Sequence, residues 1–183
     1  MMHCASSRRL PTPAVELHRD RPTRVLIGLG SNRCHGRHGR PEGVVQAAIA
    51  ALACAGLAVE AVSPIFSTAP LGPSRRRYAN AALLGHWTGS SEDLLGLLKQ
   101  TEHAFGRRRG RRWGPRVLDC DLLAFGSDIV RTDKLQVPHH GMHERAFVLK
   151  PVLTLWPDWR HPLLGLTVRQ MAARLGKPRP KVD

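Results

Sequence analysis

Leu57–Trp87 reads LAVEAVSPIFSTAPLGPSRRRYANAALLGHW, and it holds two strand-like runs with no helix between them. The first, LAVEAVSPIFS, is rich in branched and apolar residues, and Pro64 puts its end at an edge or a bulge. The second, YANAALLGHW, follows a Gly/Pro/Ser-containing turn. Upstream, PEGVVQAAIAALACAG (Pro41–Gly56) has proline near its start, dense alanine and a closing glycine, the punctuation of a helix. Before it, RVLIGLG (Arg24–Gly30) is a strand. Downstream, SSEDLLGLLKQTEHAF (Ser90–Phe105) is a helix with Ser90 and Asp93 placed for a capping box and Gly106 at its end. RVLDCDLLAFG (Arg116–Gly126) is a further strand. The order β-α-β-β-α-β is the split-βαβ arrangement. The expected fold class is α+β, a ferredoxin-like sandwich with an antiparallel sheet and both helices packed on one face.

A C-terminal helical extension completes the chain. It comprises a turn-rich stretch, a short segment HERAFVLK halted by Pro151, and a helix from Thr167 to Gly176 with Gln170 closing a T-x-x-Q box. Residues 24–176 are expected to form a single domain. Residues 1–23 read as a basic, disordered extension without the apolar core of a secretory signal, and 177–183 as a basic tail. The 183 residues suffice for one core, and no apolar run approaches the length of a membrane crossing. Four scattered cysteines without C-x-x-C spacing suit a reducing compartment, so a cytoplasmic location is expected, and the protein is separately expected to be a monomer. The net charge of +14 comes mostly from arginine, whose fork pairs bidentately with phosphate. High GC content in the coding sequence would also inflate arginine, so charge selects an anionic partner without naming it.

The chemistry concentrates in GRRRGRRWGPRVLDCDLLAFG, Gly106–Gly126. Alternate residues of a strand share a face, so Asp119 and Asp121 point the same way, about 7 Å apart at the Cα atoms. Leu118, Cys120, Leu122 and Ala124 are expected together on the opposite, core face. Two hard carboxylates on a rigid element suit Mg²⁺, which fills its remaining positions with water and phosphate. The arginines before them read as a cationic loop that could close on a polyphosphate, with Arg116 fixed at the strand entrance. GLGSN follows the first strand, yet neither the Rossmann nor the P-loop pattern is present.

WGPRVLDCDLLAFG resembles the signature of the 6-hydroxymethyl-7,8-dihydropterin pyrophosphokinase family of folate biosynthesis. The likeness continues in order through GLGSN, STAPLGP, YANAAL and VPHHGMHERAFVLKP, over roughly Val25 to Pro157. It implies transfer of the β,γ-diphosphate of ATP to the hydroxymethyl oxygen of the pterin, releasing AMP. It also implies two Mg²⁺ ions on Asp119 and Asp121, and Arg107, Arg109 and Arg116 as catalytic cations around the phosphates. By the same resemblance Glu102, Trp113, Arg116, His139 and Arg145 serve ATP. Thr68, Leu71, Tyr78, Asn80 and Phe147 serve the pterin, Tyr78 and Phe147 as a sandwich and Asn80 at its edge. The loops GPSRRRY and Arg109–Trp113 are each one residue shorter than in the family's common form, and His140 replaces a frequent aromatic.

These departures keep as an alternative a divergent paralogue that acts on another pterin, or binds one without turnover. An RRM-like RNA-binding module shares the element order and would fit the charge, but it needs an aromatic RNP1 strand where Asp119 and Asp121 stand. Nucleic acid is therefore not the expected partner, nor is a membrane. His139, His140 and His143 lack the cysteine or spaced acid that would complete a zinc tetrahedron.

Overall fold

The computed structural model describes residues 21–68, 77–106 and 117–176. The expected N-terminal extension falls almost wholly outside the described residues. Leu71, Arg107, Arg109, Trp113, Arg116 and the basic tail lie outside them altogether.

Strands β1 (Thr23–Ser31), β4 (Tyr78–Trp87) and β5 (Asp119–Phe125) form the body of an antiparallel sheet in the order β2-β4-β1-β5. The edge beside β4 is shared by β2 (Ala58–Val62) and β3 (Phe66–Thr68). The run expected as one strand is thus two, and Ser63 shows why. Its N–H donates to the Ala82 carbonyl at 3.0 Å, while its hydroxyl accepts the Ala82 N–H at 2.9 Å and donates to the Pro64 carbonyl at 2.8 Å. A side-chain oxygen stands in for a strand carbonyl where Pro64 forces the edge to bend.

Helices α1 (Pro41–Cys54) and α2 (Ser91–Ala104) cover one face, as the ferredoxin-like order requires. Their buried residues Val44, Leu52, Leu94 and Leu98 meet Val25, Ile27, Leu29, Leu83, Cys120 and Leu122 from the sheet. The capping box of α2 is present, with Ser90 Oγ accepting the Asp93 N–H at 3.0 Å and Asp93 Oδ2 accepting the Ser90 N–H at 3.1 Å. Gly106 follows at φ +81°, a left-handed position that suits a residue without Cβ.

The opposite face carries α3 (Ala146–Leu155) and α4 (Val168–Leu175), which pack Leu149, Val152, Val168 and Met171 against Leu26, Ala82, Leu84 and Leu123. Pro151 does not halt the segment as expected, because it lies inside α3. Burial of Leu149, Pro151 and Val152 offsets the helical hydrogen bond that proline removes. Thr167 and Gln170 do form their box at the start of α4. Two short strands, β6 (Val130–Arg131) and β7 (Gln136–Val137), pair within the turn-rich stretch. Ala124 also departs from expectation. The β1–β5 register slips between Leu26 and Ile27, so Leu123 is an extra residue. Leu118, Cys120 and Leu122 therefore face α1 and α2, whereas Leu123 and Ala124 face α3 and α4. Among the described residues no helix is long and apolar enough to cross a membrane.

Candidate active site

Strand β1 is the floor of the site. Gly30 pairs with Asn80 of β4 on one side and Asp119 of β5 on the other, and Gly28 pairs likewise with Ala82 and Asp121. Residues opposite one another across a ladder share a face, so Asn80, Asp119 and Asp121 look out on the same side. That side is the one covered at its other end by α3 and α4. Thr68 is opposite Tyr78 and Phe66 opposite Asn80, which adds Thr68 and Tyr78 to the same face. The glycines keep the floor low: a Cβ on Gly30 would stand 3.4 Å from Asn80 Oδ1, and one on Gly28 3.3 Å from a Leu123 methyl. Glycine at both positions leaves the stretch of β1 between Asn80, Asp119 and Asp121 without side chains on this face.

Asn80 is 7% exposed, and its Nδ2 donates to Thr68 Oγ1 at 2.7 Å. That bond fixes the amide with its nitrogen toward β3 and its oxygen over Gly30. Tyr78 is half-buried beside it. Phe147 is half-buried in the first turn of α3, and Arg145 precedes that helix with its guanidinium carbon 6.0 Å from the Phe147 ring centre. Gly141 leaves room for this arginine, since a Cβ there would lie 2.9 Å from Arg145 Nε.

His139 closes the β5 side. Its backbone N–H donates to the Leu123 carbonyl at 3.0 Å, and its ring stacks on His140 with centroids 4.7 Å apart. Burial lowers its pKa to about 4, reinforced by His140 and the Arg145 cation and opposed by the Asp119 carboxylate. The ring is therefore neutral near pH 7. Its Nδ1 accepts the Gly141 N–H at 3.2 Å, which leaves the proton on Nε2 and makes that atom a donor.

Asp119 and Asp121 are both half-exposed on the floor. Among the described residues no group of three or more His, Cys, Asp or Glu side chains is arranged to hold a metal ion. Two carboxylates offer Mg²⁺ a hard, incomplete shell, whose other positions go to water and phosphate.

Glu102 does not join this constellation. It is buried on α2 beside the outer edge of β5, where its carboxylate accepts the Cys120 N–H at 2.8 Å and pairs with Lys99 Nζ at 2.9 Å. Lys99 is a residue the motif does not single out, although its Lys-x-x-Glu spacing is the signal of a helical ion pair. The described residues thus bring together Thr68, Tyr78, Asn80, Asp119 and Asp121 on one face, with His139, Arg145 and Phe147 at its border. A separate hollow of about 310 Å³ lined by His143, Glu144, Leu164, Met171 and Arg174 contains none of them.

Residues 26–157 match the family model described as 7,8-dihydro-6-hydroxymethylpterin-pyrophosphokinase (HPPK). The chain is 40% identical over 141 residues to a 2-amino-4-hydroxy-6-hydroxymethyldihydropteridine pyrophosphokinase of Pseudomonas aeruginosa, covering 76% of this chain and 84% of that one. A protein of the same name from Methylorubrum extorquens is 37% identical over 155 residues, covering 84% and 94%. Among solved structures, wild-type Plasmodium falciparum HPPK-DHPS with SDX-DHP has the same fold at TM-score 0.66 and 10% identity, over 84% of this chain and 44% of that one. The chain therefore spans less than half of that longer protein.

Proposed function

Because the chain belongs to the 7,8-dihydro-6-hydroxymethylpterin-pyrophosphokinase family, we propose that it transfers pyrophosphate from ATP to 6-hydroxymethyl-7,8-dihydropterin, giving AMP and the pterin diphosphate. The observation that carries this reading is the shared face: the acid pair of β5 and the Thr68–Asn80 amide of the opposite strand flank the same glycine floor. One half suits a metal–polyphosphate, the other a flat heterocycle with hydrogen-bonding edges.

The pterin hydroxyl oxygen forms a bond to the β-phosphorus, the bond from that phosphorus to the α-phosphate oxygen breaks, and the hydroxyl proton is released to solvent. Such a displacement asks the protein for positioning and charge neutralisation more than for covalent participation. Two Mg²⁺ ions held by Asp119 and Asp121 would supply the neutralisation of the bridging oxygens. Tyr78 and Phe147 bracket the pterin ring, and the Asn80 oxygen, held by Thr68, accepts from the ring's N–H edge. Neutral His139 donates from Nε2 to a phosphate oxygen, and Arg145 adds a cation beside it. Leu71 would serve the pterin in the role the motif implies. Arg107, Arg109, Arg116 and Trp113 complete the nucleotide site in the role the motif implies. Residues 24–176 act as one catalytic domain, in a cytoplasmic monomer.

The test is AMP release from ATP and Mg²⁺ with and without the pterin, together with the mass of the pterin product. Pterin-dependent AMP and a diphosphorylated product are expected. Asp121→Ala is expected to fold and to lose at least about two orders of magnitude in rate, in line with removal of a main electrostatic element of a catalytic site. Near-normal turnover in that variant would overturn the metal assignment. Nucleotide binding without any AMP in the intact protein would redirect the search to another acceptor.

A further inference from the structure

β5 ends the strand order, so one of its sides has no neighbouring strand along Asp119–Asp121 among the described residues. In an antiparallel pair, alternate residues of such a strand aim both N–H and C=O away from the sheet. Cys120 is one of them, and α2 takes both groups. Glu102 accepts its N–H at 2.8 Å, and Lys99 Nζ donates to its carbonyl at 3.3 Å. Lys99 and Glu102 are joined to each other at 2.9 Å, so the two side chains act as a short surrogate strand. The Cys120 side chain is fully buried in the α1/α2 core, which restrains the same residue from a third direction. Cys120 is the residue that separates Asp119 from Asp121. Rotation of its peptides would change both the spacing and the tilt of the two carboxylates.

We propose that Glu102, supported by Lys99, is a positioning residue that holds the Asp119 and Asp121 carboxylates in register for a Mg²⁺–polyphosphate. The inference rests on the pyrophosphokinase reading of the site. It differs from the nucleotide contact that family resemblance implies for Glu102, because the carboxylate lies beside the outer edge of β5 and serves the backbone of the acid-bearing strand. A buried carboxylate is costly unless paired and hydrogen-bonded; Glu102 is both, and its partners surround the metal strand rather than the floor.

Three variants test it: Glu102→Gln, which keeps an oxygen for the Cys120 N–H, Glu102→Ala, which does not, and Lys99→Ala on the exposed side of the pair. Mn²⁺ binding in the presence of a non-hydrolysable ATP analogue is read by electron paramagnetic resonance, nucleotide binding without metal by calorimetry, and Cys120 amide protection by hydrogen exchange. Glu102→Ala is expected to weaken Mn²⁺ about 10-fold or more, the loss typical of a supporting residue behind a metal ligand. Its metal-free nucleotide affinity should stay unchanged and its Cys120 amide should exchange faster. Glu102→Gln should stay within about 3-fold of the parent, and Lys99→Ala should fall between the two. Equal loss of metal-free nucleotide binding in the Gln and Ala variants would instead make Glu102 a direct nucleotide contact. Unchanged Mn²⁺ affinity in Glu102→Ala would make the clamp purely structural. If that variant fails to fold, Lys99→Ala decides by the same criterion. None of these readouts requires turnover, so absence of pterin-dependent AMP in the intact protein would sink the catalytic reading while leaving the clamp to be judged separately.

Discussion

At the scale of single residues, His139 shows how burial sets chemistry. Its pKa near 4, against an ordinary 6.5, means that the folded protein refuses a proton the unfolded chain accepts. Above pH 6.5 both states are neutral and the ring costs nothing. As pH falls from about 6.5 toward about 4, the unfolded chain binds the proton first, and this residue's contribution to stability is lost. His139→Gln is therefore expected to show a shallower drop in melting temperature between pH 6.5 and 4 than the parent does, as thermal melts across that interval would reveal. An equal drop in both proteins would assign the acid sensitivity to other titrating groups. The acid pair is legible in the sequence alone, because a two-residue period puts Asp119 and Asp121 on one face whatever the tertiary context. The place of Glu102 is not. A helix sequence shows which residues share a stripe, but not which strand's backbone that stripe meets.

Elements are readable where local signals agree with packing. Strand Tyr78–Trp87 and the box that opens α2 fall where composition and caps put them. The failures differ in kind: at Pro151 tertiary burial overrides a local breaker, whereas at Pro64 the breaker acts and the edge splits in two. Pro151 is carried inside α3 by its burial, and the break between β2 and β3 is stabilised by a hydroxyl that substitutes for a carbonyl. Ser63 is 5% exposed, so Ser63→Ala would leave the Ala82 N–H without its side-chain acceptor in a dry place. A loss of about 1–3 kcal/mol is expected, the usual range for stranding a buried donor. Urea unfolding should show a lower midpoint with an unchanged slope. A midpoint equal to that of the parent would mean that β4 finds another partner.

For the molecule as a whole, the sheet is a wall shared by two cores. Leu26 and Ile27 are consecutive and fully buried, yet they belong to opposite layers. Every central strand is thus committed to both layers at once, and neither layer can melt without exposing the other. Leu149→Ala, in the α3 layer, is expected to cost about 2–5 kcal/mol. It should lower the far-UV circular dichroism and tryptophan fluorescence transitions together, with the curves superimposed. Separated transitions would show that the C-terminal helices unfold as an independent unit.

The extra residue at Leu123 gives this wall a parity. On an unbroken ladder, Asp119 and Asp121 would stand an even number of places from Phe125 and share its side, inside the layer roofed by α1 and α2. One inserted position reverses the count, sends Cys120 inward and turns both acids outward. The letters of the motif do not announce the slip, yet the slipped register is what turns the acid pair toward the face where the proposed site lies.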